Sequence, residues 1–185
     1  MSRIDCPPAS SPRVVELACG AGYLAAALFH RFPAAHFCGF DLSTHLLEFA
    51  RRRLTGKEND SPTDRVVELR SADLAGPNWE ETLHELGWAG QVDAVISLQA
   101  LHDLGGQAQQ VDVLERSRAL LRTGGQLIYG DLLVNADNPH TSRFTEGQHE
   151  EMLRAAGFPE TQDRRGADGA ATARFGDFGC FCRRR

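Results

Sequence analysis

The sequence predicts an α/β fold in three layers, a doubly wound parallel sheet with helices packed on both faces. Short β-branched and apolar runs alternate regularly with helical stretches along the chain, which is the pattern of strands joined by crossover helices. The segment from Val14 to Leu24 reads as a buried strand, a turn of small residues and the first turn of a helix. The chain has 185 residues, 42% hydrophobic and 24% charged, enough to bury one substantial core and no more than about one domain. A single domain over 1–185 follows, with no internal repeat and no linker.

Each element has its own signal. Arg13–Ala18 is the first strand, and Gly22–Phe32 a helix stopped near Pro33. His36–Phe40 is a second strand. Ser43 caps a helix reaching about Leu54, and a polar loop follows over Thr55–Thr63. Arg65–Arg70 alternates as a third strand, and Trp79–Leu86 is a helical stretch after Gly76-Pro77. Gln91–Ser97 is a fourth, β-branched strand. The helix from Gln107 to Leu121 gathers Val113, Leu114, Leu120 and Leu121 on one face and is expected to end at Gly124-Gly125. Gln126–Val134 is the fifth strand, Asn135–Ser142 a polar loop, Thr145–Ala156 a helix ended by Gly157, and Arg174–Arg183 a last strand.

Composition excludes several roles. A net charge of −5 gives no field for a broad polyanion, so nucleic acid is not the expected partner. The Arg51-Arg52-Arg53 and Arg183-Arg184-Arg185 runs read as a solvated helix face and a solvated tail. No apolar run approaches the ~20 residues that cross a bilayer, and Met1 to Pro12 has no signal-peptide core, so no membrane association and a cytoplasmic location are expected. Cys6, Cys19, Cys38, Cys180 and Cys182 complete no metal-ligand spacing and read as small hydrophobes. No metal site is expected: Asp137, Asn138, His140 and Glu146 follow no firm ligand pattern.

The small-residue turn fits two templates. Gly20-Ala21-Gly22-Tyr23-Leu24-Ala25 matches the dinucleotide pattern G-x-G-x-x-A. Glu16-Leu17-Ala18-Cys19-Gly20-Ala21-Gly22 matches the looser acidic-x-[G/A]-x-G-x-G of S-adenosylmethionine (SAM) enzymes. Asp41, at the end of the second strand, can accept from both ribose hydroxyls in either case. Asp73, just past the third strand, can accept from an adenine amino group while its neighbours Ala72 and Leu74 edge the ring. No Tyr-x-x-x-Lys pair of a nicotinamide dehydrogenase is present.

In order, these signals resemble the class I SAM-dependent methyltransferase family. They run from the glycine turn through Gly39-Phe40-Asp41-Leu42-Ser43, Ser71-Ala72-Asp73-Leu74, Val92-Asp93-Ala94-Val95-Ile96-Ser97 and Leu120-Leu121-Arg122-Thr123-Gly124-Gly125 to Leu153-Arg154-Ala155-Ala156-Gly157-Phe158. The resemblance implies a Rossmann-like sheet of seven strands with the last antiparallel. It implies SAM as cofactor across the carboxyl ends of strands one to four, held by Glu16, Ala18, Gly20, Gly22, Asp41, Leu42, Ala72, Asp73, Leu74, Ser97 and Leu98. Ala18 stands where many relatives carry a glycine and should crowd the turn slightly.

The acceptor should face the end of strand four. The Asn/Asp-Pro-Pro-aromatic motif of enzymes acting on exocyclic base nitrogens is absent there. Leu101-His102-Asp103 instead resembles small-molecule O-methyltransferases of the phenolic and hydroxyindole type, in which a histidine deprotonates the acceptor hydroxyl. That likeness makes His102 the candidate base, an imidazole being neutral near physiological pH. In those enzymes the histidine follows strand five. Here it follows strand four; with strands four and five as neighbours, Asp131 in strand five would be the carboxylate best placed to orient it. A histidine here also serves relatives as a cap or cofactor-wall residue. The resemblance implies a small-molecule acceptor, with oxygen favoured over nitrogen or carbon; a macromolecular acceptor or a silent cofactor-binding subunit are the alternatives. With few residues before the first strand, the acceptor pocket is open or is completed by the 135–142 loop, a homodimer partner or another subunit.

Overall fold

The computed structural model describes residues 11–55, 65–134, 143–159, 171–175 and 177–185. The chain alternates β1 (Arg13–Leu17), α1 (Tyr23–Arg31), β2 (His36–Asp41), α2 (Thr44–Thr55), β3 (Val67–Ser71), α3 (Glu81–Glu85) and β4 (Val92–Leu98). A 3₁₀ turn over Leu101–Leu104 precedes α4 (Gln107–Leu120), β5 (Leu121–Leu132), α5 (Glu146–Ala155), β6 (Ala171–Phe175) and β7 (Phe178–Arg184). The strands form one sheet in the order β3-β2-β1-β4-β5-β7-β6. Strands β1 to β5 pair parallel, and β7 runs antiparallel between β5 and β6. The order reverses between β1 and β4, the switch point at which a doubly wound sheet opens a crevice at its carboxyl edge.

Strands buried on both faces explain the near-continuous apolar runs of β1, β2 and β4. One face packs Val14, Ile96, Leu28, Phe37 and Leu54 beneath α1 and α2. The other packs Val15, Leu17, Val95, Leu114, Tyr129 and Met152 beneath α4 and α5. No helix among the described residues is long and apolar enough to cross a membrane.

Three expectations need correction. The stretch read as one strand, Arg174–Arg183, is two antiparallel arms, with Phe175 paired to Phe178; the Gly-Asp between them is a two-residue hairpin signal that shifts the apolar alternation by one, and the single-strand reading passed over it. Helix α4 ends at Leu120, and Gly124-Gly125 lie inside β5. A β-carbon on Gly125 would come within 2.8 Å of the Val92 carbonyl oxygen, where the β4–β5 register shifts. The terminal arginines are no solvated tail: Arg183 is 1% exposed, bonds the Cys182 carbonyl and pairs with Glu150 of α5.

Candidate active site

The glycine turn is held from beneath by a carboxylate. Asp41 Oδ2 accepts from Gly20 N at 2.7 Å and Oδ1 from Ser43 N at 2.8 Å, tying the end of β2 to the turn and to the start of α2. Two of its roughly four acceptor positions are thus used. Ala18 adopts φ +52°, a left-handed conformation costing a residue with a β-carbon about 1–2 kcal/mol; the strain lies in the backbone rather than in crowding. A methyl on Gly20 would meet nothing within 4 Å, so that glycine borders open space. Gly22 is different: its β-carbon would press on Ala50 Cβ at 3.1 Å, so its smallness lets α1 approach α2. No side chain caps α1, which leaves its first-turn amides for a ligand or solvent.

The other expected cofactor residues divide in the same way. Leu42 is 72% and Leu98 48% exposed at the carboxyl ends of β2 and β4. Asp73 is exposed and accepts from Ala75 N at 2.9 Å. Ala72 is half-buried and donates its N–H to the Asp41 carbonyl. Leu74 is buried in the core, and Ser97 Oγ donates to the Leu17 carbonyl at 3.1 Å, joining β4 to β1 at the switch point. Arg116 of α4 fixes the Asp73 loop through the carbonyls of Leu74 (2.8 Å) and Gly76 (3.1 Å) and through Glu80. Trp79 packs edge-on to Phe40 in the core. Tyr23 is exposed beneath the Arg53 guanidinium, 3.7 Å from the ring centre, and Arg53 also bonds the Ala21 carbonyl, so this member of the helical arginine run braces the turn.

Glu16 is 3% exposed, and its Oε2 meets no hydrogen-bond partner. Burial first, and the nearby Asp41 charge second, push its carboxyl well above the usual range. Burial likewise pushes up the thiols of Cys19 and Cys38, in keeping with small inert side chains.

His102 and Asp131 meet. The parallel β4–β5 pairing sets Leu98 opposite Gly130, so the turn after β4 folds over the next residue of β5. Asp131, wholly buried, accepts from His102 N through Oδ2 at 2.9 Å and lies 2.5 Å from His102 Nδ1 through Oδ1. Oδ1 also accepts from Leu132 N. Backbone and ring are therefore fixed by one carboxylate, which holds the proton on Nδ1 and leaves Nε2 as the acceptor nitrogen. The exposed Asp103 lies 3.5 Å from Nε2. Just before the turn, Gln99 holds φ +55° while its N–H donates to the Gly130 carbonyl.

Behind this pair lies a histidine that the sequence reading did not single out. His149 of α5 is 2% exposed, with Nδ1 3.2 Å from Tyr129 Oη and its ring between Phe181 and Phe144. The one available signal was Thr145-Glu146-Gly147-Gln148, a capping box that fixes where α5 starts and so aims position 149 inward. Burial lowers His149 to about 4. Below the ordinary imidazole value near 6.5 the unfolded chain takes a proton that the folded one refuses. Its contribution is therefore complete above pH ~6.5 and is lost as pH falls toward 4, by up to about 3 kcal/mol. Urea unfolding from pH 7 to 4.5 should show this loss, and His149→Gln should flatten it; an unchanged slope in the variant would assign the loss to other groups.

The expected loop at 135–142, with Asp137, Asn138 and His140, lies outside the described residues, as does Cys6. Among the described residues no group of three histidine, cysteine or acidic side chains could hold a metal.

A family model described as a methyltransferase domain matches residues 15–127. The chain belongs to the SAM-dependent methyltransferase family. This methyltransferase domain is 31% identical over 172 residues to a trans-aconitate 2-methyltransferase of Methylobacterium nodulans, covering 93% of the chain and 55% of the relative. It is 31% identical over 134 residues to a malonyl-[acyl-carrier protein] O-methyltransferase of Hahella chejuensis, covering 72% and 40%. The chain thus spans about half the length, or less, of these curated relatives. A SAM-dependent methyltransferase from Mesorhizobium loti superposes with a TM-score of 0.68 at 17% identity, covering 97% of this chain and 94% of that one, which shows the shared fold.

Proposed function

We propose that this methyltransferase domain transfers the methyl group of SAM to a hydroxyl oxygen of a small, uncharged molecule, with His102 as general base and Asp131 as its orienting partner. The observation that carries the reading is the double engagement of His102, backbone and ring, by the buried Asp131. The site's own residues suit the cofactor: open space in front of Gly20, and the orphaned oxygen of Glu16 beneath the turn. We assign Gly20, Asp41, Leu42, Asp73 and Leu98 to its binding, with Gly22, Leu74 and Ser97 as the frame. When bound, SAM supplies a methyl group already activated for in-line displacement. The protein then aligns the acceptor oxygen and removes its proton. His102 Nε2 takes that proton, and Asp131 stabilises the imidazolium that results.

An uncharged acceptor is favoured over the polyanion named for one relative. Asp41, Asp73 and Asp103 line the carboxyl edge, and Arg116 nearby is already paired with Glu80 and Asp112. A carboxylate acceptor would be repelled there and would need no base.

Three experiments test the reading. Calorimetric titration with S-adenosylhomocysteine, with NADH as control, should show binding of the first alone; absence of binding overturns the cofactor assignment. Labelled SAM offered with panels of phenols and of carboxylic acids should label the phenols, and label found only on the acids overturns the acceptor class. Asp41→Ala should weaken S-adenosylhomocysteine binding by about 1–3 kcal/mol through lost hydrogen bonds to a charged group, measured on protein shown to be folded. Unchanged affinity would remove Asp41 from the site.

A further inference from the structure

The loop that carries Asp73 is fastened by a side chain from another part of the chain. At its start, Ala72 donates its N–H to the Asp41 carbonyl at 3.0 Å, which ties the loop to β2. Asp73 then folds the loop onto itself: Oδ1 accepts from Ala75 N at 2.9 Å and the main-chain oxygen from Gly76 N at 3.0 Å. A β-carbon on Gly76 would stand 3.2 Å from that main-chain oxygen, so the turn closes tightly on Asp73. These bonds use the N–H groups and leave the carbonyls of Leu74 and Gly76 to find donors elsewhere. Arg116 of α4 supplies them. Its Nη2 reaches the Leu74 carbonyl at 2.8 Å and the Gly76 carbonyl at 3.1 Å, and Nη1 shares the Gly76 oxygen at 3.1 Å. The guanidinium is itself held by Glu80 at 3.0 Å and Asp112 at 2.9 Å, and lies 5.3 Å from the centre of the Trp79 ring. Trp79 in turn meets Phe40, the residue before Asp41, edge-on at 5.4 Å. A short surface loop is ordinarily left to move. This one is pinned at both ends around one exposed acid, with its shape set before any ligand arrives.

We propose that Arg116 is a positioning residue for base recognition: it fixes the direction from which Asp73 meets the 6-amino group of the cofactor's adenine. It thereby sets the preference for a base that donates a hydrogen bond there over one that accepts. The inference rests on the reading of the domain as a SAM-binding methyltransferase and on the assignment of Asp73 to its cofactor. Arg116 acts through the loop's backbone and needs no contact with the ligand. A planar fork suits the task, since one guanidinium serves two carbonyls and an acid at once. Without it the two carbonyls turn to water, the loop samples other shapes, and the carboxylate faces the base only part of the time. A ligand that gains from Asp73 then loses affinity, whereas one that Asp73 repels does not.

The test compares two ligands by calorimetric titration of the intact protein. One is S-adenosylhomocysteine; the other is S-inosylhomocysteine, whose 6-oxo group accepts where the adenine amino group donates. The wild-type protein should prefer the first. In Arg116→Met, S-adenosylhomocysteine should bind ~10-fold more weakly, the worth of a hydrogen bond to a charged group, while S-inosylhomocysteine is nearly unchanged. In an Asp73→Asn background the same arginine change should have no further effect on the preference. Should Arg116→Met not fold, Arg116→Lys, which keeps the charge and a long stem but lacks the fork, is read in the same way. A folded variant that weakens both ligands by the same factor makes the arginine a general brace and overturns the proposal. A folded variant with the wild-type preference overturns it too. Equal affinities in the wild type would remove Asp73 from the base, and the proposal with it. If neither ligand binds the wild type, the cofactor reading itself fails, a result distinct from binding without base preference.

Discussion

Alanine at position 102 is expected to lower methyl transfer by ~10²–10⁴-fold while leaving the affinity for S-adenosylhomocysteine nearly unchanged. The separation follows from the geometry. His102 sits on the turn after β4, held from β5, whereas the residues proposed to hold the cofactor lie at the ends of β1 to β3 and at Leu98. The loss should appear in kcat more than in the KM for SAM, because proton removal is felt in the transition state. Asp131→Asn is the sharper variant. It keeps size and one carbonyl acceptor but presents an amide that favours the wrong imidazole tautomer, and it should cost a comparable factor. Wild-type turnover in His102→Ala would remove the base from the mechanism. Loss of cofactor binding in the same protein would recast His102 as a wall of the cofactor site.

Glu150→Ala should be the most destabilising of the substitutions considered, by about 3–5 kcal/mol, against a total stability of ~5–15 kcal/mol for a domain. The cause lies in Arg183, buried at 1% exposure in β7, whose guanidinium meets the Glu150 carboxylate of α5. Removing the acid takes away the carboxylate that faces the Arg183 guanidinium between sheet and helix. Urea unfolding should show the loss, and adding Arg183→Met to the same chain should recover part of it, since the buried charge is then gone. The pair Arg70–Glu68, whose arginine is exposed, is the control, where removing one partner should change stability by less than ~1 kcal/mol. Equal effects at the two pairs would mean that Arg183 stays hydrated.

The order of elements was legible because burial on both faces makes each parallel strand a short apolar run, and each crossover helix shows its stripe. The encounter of His102 with Asp131 was legible too, since consecutive parallel strands joined by one helix are usual neighbours. What stayed hidden depends on direction rather than on residue type. Gly22, Leu74 and Ser97 fit a cofactor motif as well as Gly20 and Leu98 do, and only the fold shows that the first three are turned into the frame. The hairpin at Phe175–Phe178 and the irregular start of β5 were lost for a different reason. In β5 two glycines sit inside a continuing strand, where a linear reading takes glycine as punctuation, and between Phe175 and Phe178 the reading passed over a Gly-Asp pair. His149 was missed because a lone histidine on a polar helix says little by itself about burial, and its one signal was the capping box that fixes the helix start.

The triple engagement of Asp131 has an evolutionary consequence. One carboxylate closes the backbone of β5, anchors the turn after β4 and fixes the imidazole tautomer. Most substitutions there would disturb the scaffold along with the histidine, asparagine being the mildest because it keeps the size and a carbonyl acceptor. The Gln99 side chain, exposed just after β4, carries no such double duty. Descendants of this domain would therefore vary there while the histidine and its acid were inherited intact.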